Sequence, residues 1–267
     1  MRKFFSMVLT VILALGATAG TVSADHHAED KAMVRVLHAS PDAPAVDVYV
    51  DGNAVVEGAE FKASTDYLKL GSGEHNVEIY AAGTKGEQDP VISQSLTVEA
   101  GMAYTVAAIN KLDNLELKVV QDSMSVTEGM TKVRVGHLSP DAPTVNVGLM
   151  DGKDLFSGAS FPMVTDYKEL EPSTYDLEIR TEDGTQVLDL SGTTLEKNTV
   201  YSVFAVNTAD NLEVLVLKDY TLMPDSMPQT GMGGTAQDSS SVLPIAASVA
   251  LLGAGAMILY RRRAQEQ

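Results

Sequence analysis

The chain has 267 residues, a formal net charge of −17 and no cysteine. A chain of this length forms one large domain or two small ones. Its acidic balance makes nucleic acid and anionic lipid poor partners, since both carry negative charge. The absence of cysteine excludes disulfide bonds, thiol nucleophiles and thiolate metal sites.

Residues 1–24 are typical of a secretory signal peptide. A positively charged start leads into a largely apolar stretch, Phe4–Ala19, and small side chains precede a predicted cleavage site after Ala24. Cleavage there leaves residues 25–31 as an acidic N-terminal tail. The alternative is an uncleaved anchor, for which the apolar stretch is short.

The middle of the chain contains a long internal repeat. The stretch Val34–Pro44 returns as Val133–Pro143, and Asp51-Gly52 returns as Asp151-Gly152. Repeats of this length form separate domains rather than a solenoid of short units. The sequence therefore predicts repeat 1 at residues 32–122, a linker at residues 123–130 and repeat 2 at residues 131–219.

Each repeat is predicted to be all-β. Val46, Val48 and Val50 alternate with residues of the opposite face, which is the period of a half-buried strand. Turn signals recur at the spacing of roughly seven short strands, the pattern of an immunoglobulin-like β-sandwich. We therefore expect two tandem β-sandwich domains, with hinge motion at the short linker that contains Gly129.

A Ser-Pro-Asp-Ala-Pro segment follows the first predicted strand of both repeats. Its prolines fix φ and donate no backbone hydrogen bond, so the strand stops there, and its Ser and Asp side chains accept hydrogen bonds from nearby amides. We predict a rigid structural turn that positions the next strand. The residues of this turn motif are His38, Ser40, Pro41, Asp42 and Pro44 in repeat 1, and His137, Ser139, Pro140, Asp141 and Pro143 in repeat 2.

The opening of each repeat resembles the secreted bacterial family named domain of unknown function 4397. The resemblance rests on the Arg-Val-x-His-x-Ser-Pro-Asp-Ala-Pro motif, the strand that follows it and the Asp-Gly turn. Repeat 2 departs slightly, with Asn146 at the position of Asp47 and Gly148 at the position of Tyr49. The resemblance implies an extracellular β-sandwich and no established activity.

His38, Ser40 and Asp42 suggest a catalytic triad, as do their counterparts in repeat 2. Residues i and i+2 of a strand share a face but lie about 6.5–7 Å apart at Cα, too far for an aligned proton relay. The sequence shows no recognisable oxyanion site or nucleophile elbow. We therefore predict no catalytic residues and no enzyme activity, with an envelope hydrolase as the weakest alternative.

No cofactor or metal site is predicted. Asp42, Asp47 and Asp51 could supply oxygen ligands to a structural calcium ion, but they lack the ordered spacing of a calcium loop. A spontaneous crosslink between Lys132 and Asn207 is another alternative. Exposed lysines and loop-end asparagines are the simpler interpretation of those two residues.

The C-terminal region resembles a sortase cell-wall sorting signal. Met227-Pro228-Gln229-Thr230-Gly231 stands where that signal has Leu-Pro-x-Thr-Gly, with Met in place of Leu. The sequence predicts a stalk at residues 220–241, a transmembrane helix at residues 242–260 and a basic cytoplasmic tail at residues 261–267. The resemblance implies that a sortase cysteine attacks the Thr230 carbonyl, and that an amine of the peptidoglycan precursor resolves the acyl-enzyme.

Together these features predict a non-enzymatic, exported protein attached to peptidoglycan through Thr230. Its predicted partners are sortase, the peptidoglycan precursor and an unidentified extracellular ligand or matrix protein. Contact with the membrane is expected only through the C-terminal helix before sorting. The alternatives are a purely structural spacer and a surface protein that stays in the plasma membrane. The stalk from Tyr220 to Thr230 spans under about 40 Å, which favours a role within the envelope.

Overall fold

The computed structural model describes residues 31–223, and its regular elements are β-strands with two short 3-10 helices. Repeat 1 contains β1 (Lys31–His38), β2 (Val46–Val50), β3 (Asn53–Ala59), β4 (Leu68–Gly71), β5 (Gly73–Ala81), β6 (Ile92–Val98), β7 (Ala103–Ile109) and β8 (Glu116–Asp122). Repeat 2 contains β9 (Thr131–His137), β10 (Val145–Leu149), β11 (Asp154–Ala159), β12 (Lys168–Leu170), β13 (Ser173–Thr181), β14 (Gln186–Leu195), β15 (Thr199–Val206) and β16 (Glu213–Thr221). The all-β prediction is confirmed.

Within residues 31–223, no helix is long and apolar enough to cross a membrane. The predicted signal peptide, sorting motif, transmembrane helix and basic tail all lie outside the described residues.

The two repeats have the same sheet topology. Each consists of two four-stranded sheets, which confirms the prediction of two sandwiches. We name the sheets β4-β1-β7-β8 and β12-β9-β15-β16 the inner sheets, and the sheets β3-β2-β5-β6 and β11-β10-β13-β14 the outer sheets. In each inner sheet the first strand of the repeat pairs in parallel with the seventh, and the other neighbours are antiparallel. Each repeat therefore has eight strands rather than the expected seven.

Each sandwich has its own apolar core between its inner and outer sheet. In repeat 1, Val34 of β1 packs with Val46 and Val48 of β2, and in repeat 2 Val133 and Val145 occupy the corresponding core. Alternate residues of a strand point to opposite faces, so the other face of each inner sheet needs a separate partner.

That partner is the inner sheet of the other repeat. A third apolar cluster combines Leu37 and Ile109 of repeat 1 with Leu138, Phe204 and Val206 of repeat 2. All five side chains are almost completely buried. The inner sheets are therefore covered on both faces, and the two sandwiches pack directly against one another.

The linker was expected to be a hinge because it contains Gly129, but two of its backbone amides are hydrogen-bonded to repeat 2. The Gly129 amide donates to Asn198 Oδ1 at 2.7 Å, and the Thr127 amide donates to Glu169 Oε1 at 3.1 Å. Both acceptors belong to repeat 2. The expectation of hinge motion is therefore not supported, because the linker is bound to repeat 2 and the repeats share a buried surface.

The strand directions give the paired sandwiches two distinct ends. β1 and β9 both run towards their Ser-Pro-Asp-Ala-Pro segments, and the Lys111 ammonium lies 2.9 Å from the Asp141 carboxylate across the two repeats. Both segments therefore lie at one end, which we name the corner end. Lys31 and Thr221 lie at the opposite end, because β1 begins and β16 finishes there.

Candidate functional site

A buried histidine closes each Ser-Pro-Asp-Ala-Pro corner. The Nε2 atom of His38 lies 3.1 Å from the Pro44 carbonyl oxygen, and that of His137 lies 3.0 Å from the Pro143 carbonyl oxygen. Because a carbonyl only accepts, Nε2 carries the hydrogen in both rings. Each ring therefore fastens the start of the corner to its end, immediately before β2 or β10.

Burial favours the neutral form of both histidines. Burial lowers the pKa of His38 and the pKa of His137, and the hydrogen bonds to Pro44 and Pro143 only partly oppose this effect. In repeat 1 the Nδ1 atom of His38 accepts a hydrogen bond from the Ser40 amide at 3.3 Å. The ring has its two nitrogens occupied by backbone groups of its own corner.

The serine and aspartate of each corner do not extend this arrangement into a proton relay. Asp42 accepts a hydrogen bond from the Leu112 amide, and Asp141 accepts one from the Ala209 amide, each at 2.8 Å. The buried hydroxyls of Ser40 and Ser139 have no hydrogen-bond partner among the described residues. The aspartates therefore hold the loops after β7 and β15 and do not orient a histidine.

The aspartates considered as calcium ligands are engaged in separate turns. Asp47 accepts hydrogen bonds from the amides of Gly58 and Gly83, each at 2.7 Å. Asp51 accepts hydrogen bonds from Asn76 and His75. No group of three or more side chains suited to a metal ion occurs within residues 31–223.

The change from Asp47 to Asn146 preserves one contact of the turn. The Asn146 side-chain oxygen accepts a hydrogen bond from the Gly158 amide at 2.7 Å, as Asp47 does from the Gly58 amide. A neutral oxygen is therefore sufficient for this bond.

The strand register separates the proposed crosslink partners. Lys132 lies opposite Val200, and Asn207 lies seven residues farther along the same direction, about 23 Å away. The Lys132 ammonium instead contacts the Ser123 hydroxyl at 2.9 Å. A Lys132–Asn207 crosslink does not fit this geometry.

A buried ion-pair cluster joins the repeats, and its residues are not among those predicted from the sequence. Arg35 of β1 lies 2.6 Å from Asp219 of β16, and Arg134 of β9 forms an ion pair with Asp122 of β8. Each pair thus crosses from the first strand of one repeat to the last strand of the other. The Asp122 carboxylate is also 3.7 Å from Arg35, which links the two pairs.

Neutral hydroxyl groups also donate hydrogen bonds to each carboxylate. Asp122 accepts from the Tyr67 and Thr105 hydroxyls at 2.6 and 2.7 Å. Asp219 accepts from the Tyr167 and Ser202 hydroxyls at 2.7 and 2.6 Å. The equivalent donors in the two repeats give the cluster an approximate two-fold symmetry.

The arginines are stacked as well as paired. The guanidinium carbon of Arg35 lies 4.8 Å from the centre of the Tyr67 ring, and that of Arg134 lies 4.7 Å from the centre of the Tyr167 ring. Such contacts add a cation–π attraction to the charge pairing.

The charges of this cluster balance within the interface. Burial disfavours the charged form of Arg35, but Asp219, Tyr67 and Asp122 together outweigh it and raise the pKa of the guanidinium. Burial, with the adjacent carboxylates, also raises the pKa of Tyr67 and of Tyr167, so both phenols remain donors. Two arginines therefore face two aspartates in a site with no net charge.

These sequence features also match a known family. The model of the family described as Domain of unknown function (DUF4397) matches residues 32–148 and 133–227. The chain belongs to this family. The matched ranges contain both corners and both arginines.

Several solved structures have a distant likeness to this DUF4397 chain. A family CBM26 carbohydrate-binding module from Eubacterium rectale, in complex with maltoheptaose, is 12% identical with a TM-score of 0.23, covering 73% of this chain and 98% of its own. A protein described as a cell adhesion protein from Bacteroides ovatus is 11% identical with a TM-score of 0.25, covering 72% and 98%. Another so described, from Bacteroides uniformis, is 10% identical with a TM-score of 0.22, covering 71% and 98%.

At these identities and TM-scores, the likeness establishes neither a shared ligand nor a shared activity. No curated protein matches the chain.

Proposed function

We propose that this chain is a non-enzymatic surface protein in which two DUF4397 repeats act as one rigid body held at the bacterial envelope. The observation that carries the proposal is the buried, crossed pairing of Arg35 with Asp219 and of Arg134 with Asp122. Buried ion pairs of this kind tolerate little relative movement, because separation would leave charges without partners.

The geometry of the corners supports a non-enzymatic role. The histidines that suggested a triad close the corners, and the aspartates hold the adjoining loops. A nucleophile needs a base within hydrogen-bond reach and a donor site for the developing charge. Neither corner offers a histidine nitrogen bonded to its serine hydroxyl.

We propose sortase attachment through Thr230, with the peptidoglycan precursor as the second substrate. The support is the order of motif, polar spacer, apolar segment and arginines in the sequence. β16 ends at the end of the body opposite the corners. We propose that the corner end, which lies opposite the end of β16, is where an extracellular ligand or matrix protein binds.

Fractionation of cells that express the full chain tests the attachment. Muramidase digestion is expected to release the wild-type protein with peptidoglycan fragments. Thr230→Ala is expected to abolish that release and leave the protein in the membrane fraction. Met227→Leu, which restores the usual first residue of the signal, is the matched control and retains wall attachment. Membrane retention of the wild-type protein would contradict the proposal.

An activity screen tests the non-enzymatic part of the proposal separately. The purified protein is expected to hydrolyse none of a panel of esters and peptides above the rate of buffer alone. Hydrolysis that is lost in both His38→Gln and His137→Gln would establish an enzyme instead. Binding to glycans and matrix proteins, measured with the same material, distinguishes ligand capture from a purely structural spacer.

A further inference from the structure

A histidine of repeat 1 lies between two acceptors at the end of the outer sheet. The Nδ1 atom of His75 is 2.7 Å from the Asp51 carboxylate, and its Nε2 atom is 2.8 Å from the Gly71 carbonyl oxygen. Neither a carboxylate nor a carbonyl donates a hydrogen bond, so both nitrogens must carry hydrogen. Imidazole is a stronger base than a carboxylate, and the proton therefore belongs to the ring.

We propose that His75 is a pH-dependent latch that ties the β2–β3 turn of repeat 1 to the β4–β5 corner. Asp51 is the first residue of that turn and has a φ of 50°. Its other carboxylate oxygen accepts a hydrogen bond from the Asn76 amide of β5 at 2.9 Å. The charged ring thus connects the turn, the end of β4 and the start of β5.

Loss of one proton releases one side of the latch. A neutral ring that keeps its bond to Gly71 has a lone pair on Nδ1, directed at the Asp51 carboxylate 2.7 Å away. Two acceptors at this distance repel, so the Asp51 carboxylate moves away from the ring, while the Asp51 amide keeps its hydrogen bond to the Asn76 carbonyl oxygen at 2.9 Å. The hydrogen bond from the Asn76 amide to the other Asp51 oxygen weakens as well, because the two oxygens belong to the same carboxylate.

Repeat 2 provides a matched site without a switch. Tyr175 lies at the corresponding position of β13, and its hydroxyl donates to the Glu171 carbonyl oxygen at 2.6 Å. This bond corresponds to the one from His75 to Gly71. The register position of Asp51 is held by Met150, whose amide donates to the Asp176 carbonyl oxygen as the Asp51 amide does to that of Asn76. The next residue, Asp151, accepts from the Lys153 amide of its own longer turn at 3.1 Å. The second repeat therefore keeps the backbone contact through a neutral donor and lacks the charged contact.

Among residues 31–223, one charged group contacts the His75 ring. Asp51 faces it from the β2–β3 turn, the β4 end contributes only the Gly71 carbonyl, and Leu96 lies opposite on β6. Glu74, the neighbour in β5, points to the other face of the sheet, as successive residues of a strand do. The response to pH is therefore a property of the His75–Asp51 pair.

The direction of the pH effect follows from this pair. The hydrogen bond to Asp51 raises the pKa of His75, with partial burial opposing it, and the same bond lowers the pKa of Asp51. A raised pKa in the folded state means that the latch contributes fully below the unfolded value of 6.5. Its contribution is lost as the pH rises through the folded value.

An NMR titration of histidine signals in the full-length protein tests the latch. His75→Tyr, which copies repeat 2, removes one signal and so assigns it. We expect His75 to titrate above the histidines of the unfolded chain, and Asp51→Asn to abolish that upward shift. Protection of the Asn76 amide from hydrogen exchange is expected to fall as His75 deprotonates, and to become independent of pH in His75→Tyr.

Three results would overturn the latch. The first is a His75 signal that titrates at or below the unfolded reference. The second is an upward shift that persists in Asp51→Asn, since another group would then cause it. The third is Asn76 protection that is equal on both sides of the titration. Asp51→Asn keeps the proposal falsifiable if His75→Tyr fails to fold, because it retains the histidine and its bond to Gly71.

Discussion

The two repeats share one topology but fill the surface between them with different side chains. On the inner sheet of repeat 1, Leu37 of β1 lies opposite Ala107 of β7. On that of repeat 2, Gly136 of β9 lies opposite Phe204 of β15. Each sheet thus contributes one large and one small residue, on opposite strands. A side chain at Gly136 would begin 2.5 Å from the Phe204 ring, so the small residue is required by the large one.

The outer sheets differ in a similar way. In repeat 1 the Lys85 ammonium lies 3.6 Å from the centre of the Tyr49 ring. In repeat 2 the equivalent of Tyr49 is Gly148, and Arg180 covers it, because a side chain there would begin 2.9 Å from the guanidinium. Both repeats therefore place a cation over this face, and each cation pairs with the equivalent glutamate, Glu78 or Glu178. Repeat 1 adds the aromatic contact with Tyr49, whereas repeat 2 adds a second ion pair with Asp154.

In both cases the repeats differ by paired changes, because a different residue on one strand is accompanied by a complementary residue on the neighbouring strand. The charged cluster is the exception, since both repeats keep an arginine, a tyrosine, a small hydroxyl residue and an aspartate at equivalent positions. Packing volume can be exchanged between neighbouring strands, whereas a buried charge needs its opposite at a fixed place.

The largest expected effect concerns the two aspartates of the cluster. Asp122→Ala removes the only carboxylate paired with Arg134 among the described ion pairs, and we expect it to cost about 3–5 kcal/mol of unfolding free energy. Asp219→Ala should cost less, because Arg35 retains Asp122 at 3.7 Å. Denaturant unfolding measures both, with Asp113→Ala in the exposed 3-10 helix Leu112–Asn114 as the control. An equal or larger loss in Asp219→Ala would contradict this asymmetry.

The second prediction concerns Gly136 and Phe204, the small and large residues that face each other on the inner sheet of repeat 2. Phe204→Ala is expected to cost about 3 kcal/mol, because it leaves a cavity in the cluster between the repeats. Gly136→Leu is destabilising through overlap with the Phe204 ring. The double variant reproduces the Leu–Ala pair of repeat 1 and should recover most of the loss. Additive costs in this double-mutant cycle would show that the two positions are not coupled.

The third prediction concerns the corner histidines, whose pKa shifts are opposite in direction to that of His75. Burial lowers the pKa of His38 and of His137 below 6.5, the value of a histidine in the unfolded chain. As the pH falls below 6.5, the unfolded chain therefore binds more protons than the folded chain. Stability from these residues is complete above that pH and is lost as the pH falls below it. His38→Gln keeps a donor for the Pro44 carbonyl and should reduce the acid dependence of the melting temperature. An unchanged dependence of the melting temperature on pH would show that His38 does not cause the loss of stability in acid.

The smallest effect concerns an exposed contact between the repeats. The Lys62 ammonium lies 2.6 Å from the Glu213 carboxylate, but both side chains are more than two-fifths exposed. Ion pairs of this kind contribute under about 1 kcal/mol and weaken with salt. Lys62→Ala is therefore expected to change the unfolding midpoint only slightly. A loss comparable to that of Asp122→Ala would mean that the surface pair, rather than the buried cluster, holds the repeats together.

Sequence patterns predicted the parts of the fold that depend on local chemistry. Alternation predicted β2, proline chemistry predicted the end of β1, and duplication predicted two domains with one topology. The shortest strands, β4 and β12, were not identified because three or four residues are too few to establish a period.

The interface could not be predicted because its partners are distant in sequence. Arg35 and Asp219 are 184 residues apart, and no local pattern connects them. The signal that was present is an arginine between two valines in the first strand of both repeats. A charged residue within such a strand indicates a buried partner on the second face, and this would have argued against a hinge at Gly129.

The central claim is that the two repeats form one rigid body through their buried interface. Insertion of a specific protease site between Val126 and Thr127, followed by cleavage and size-exclusion chromatography, tests it most directly. The two halves are expected to elute together after cleavage, and Asp122→Ala is expected to separate them. Separation of the halves in the otherwise unaltered protein would show that only the linker holds the repeats together, and would contradict the account.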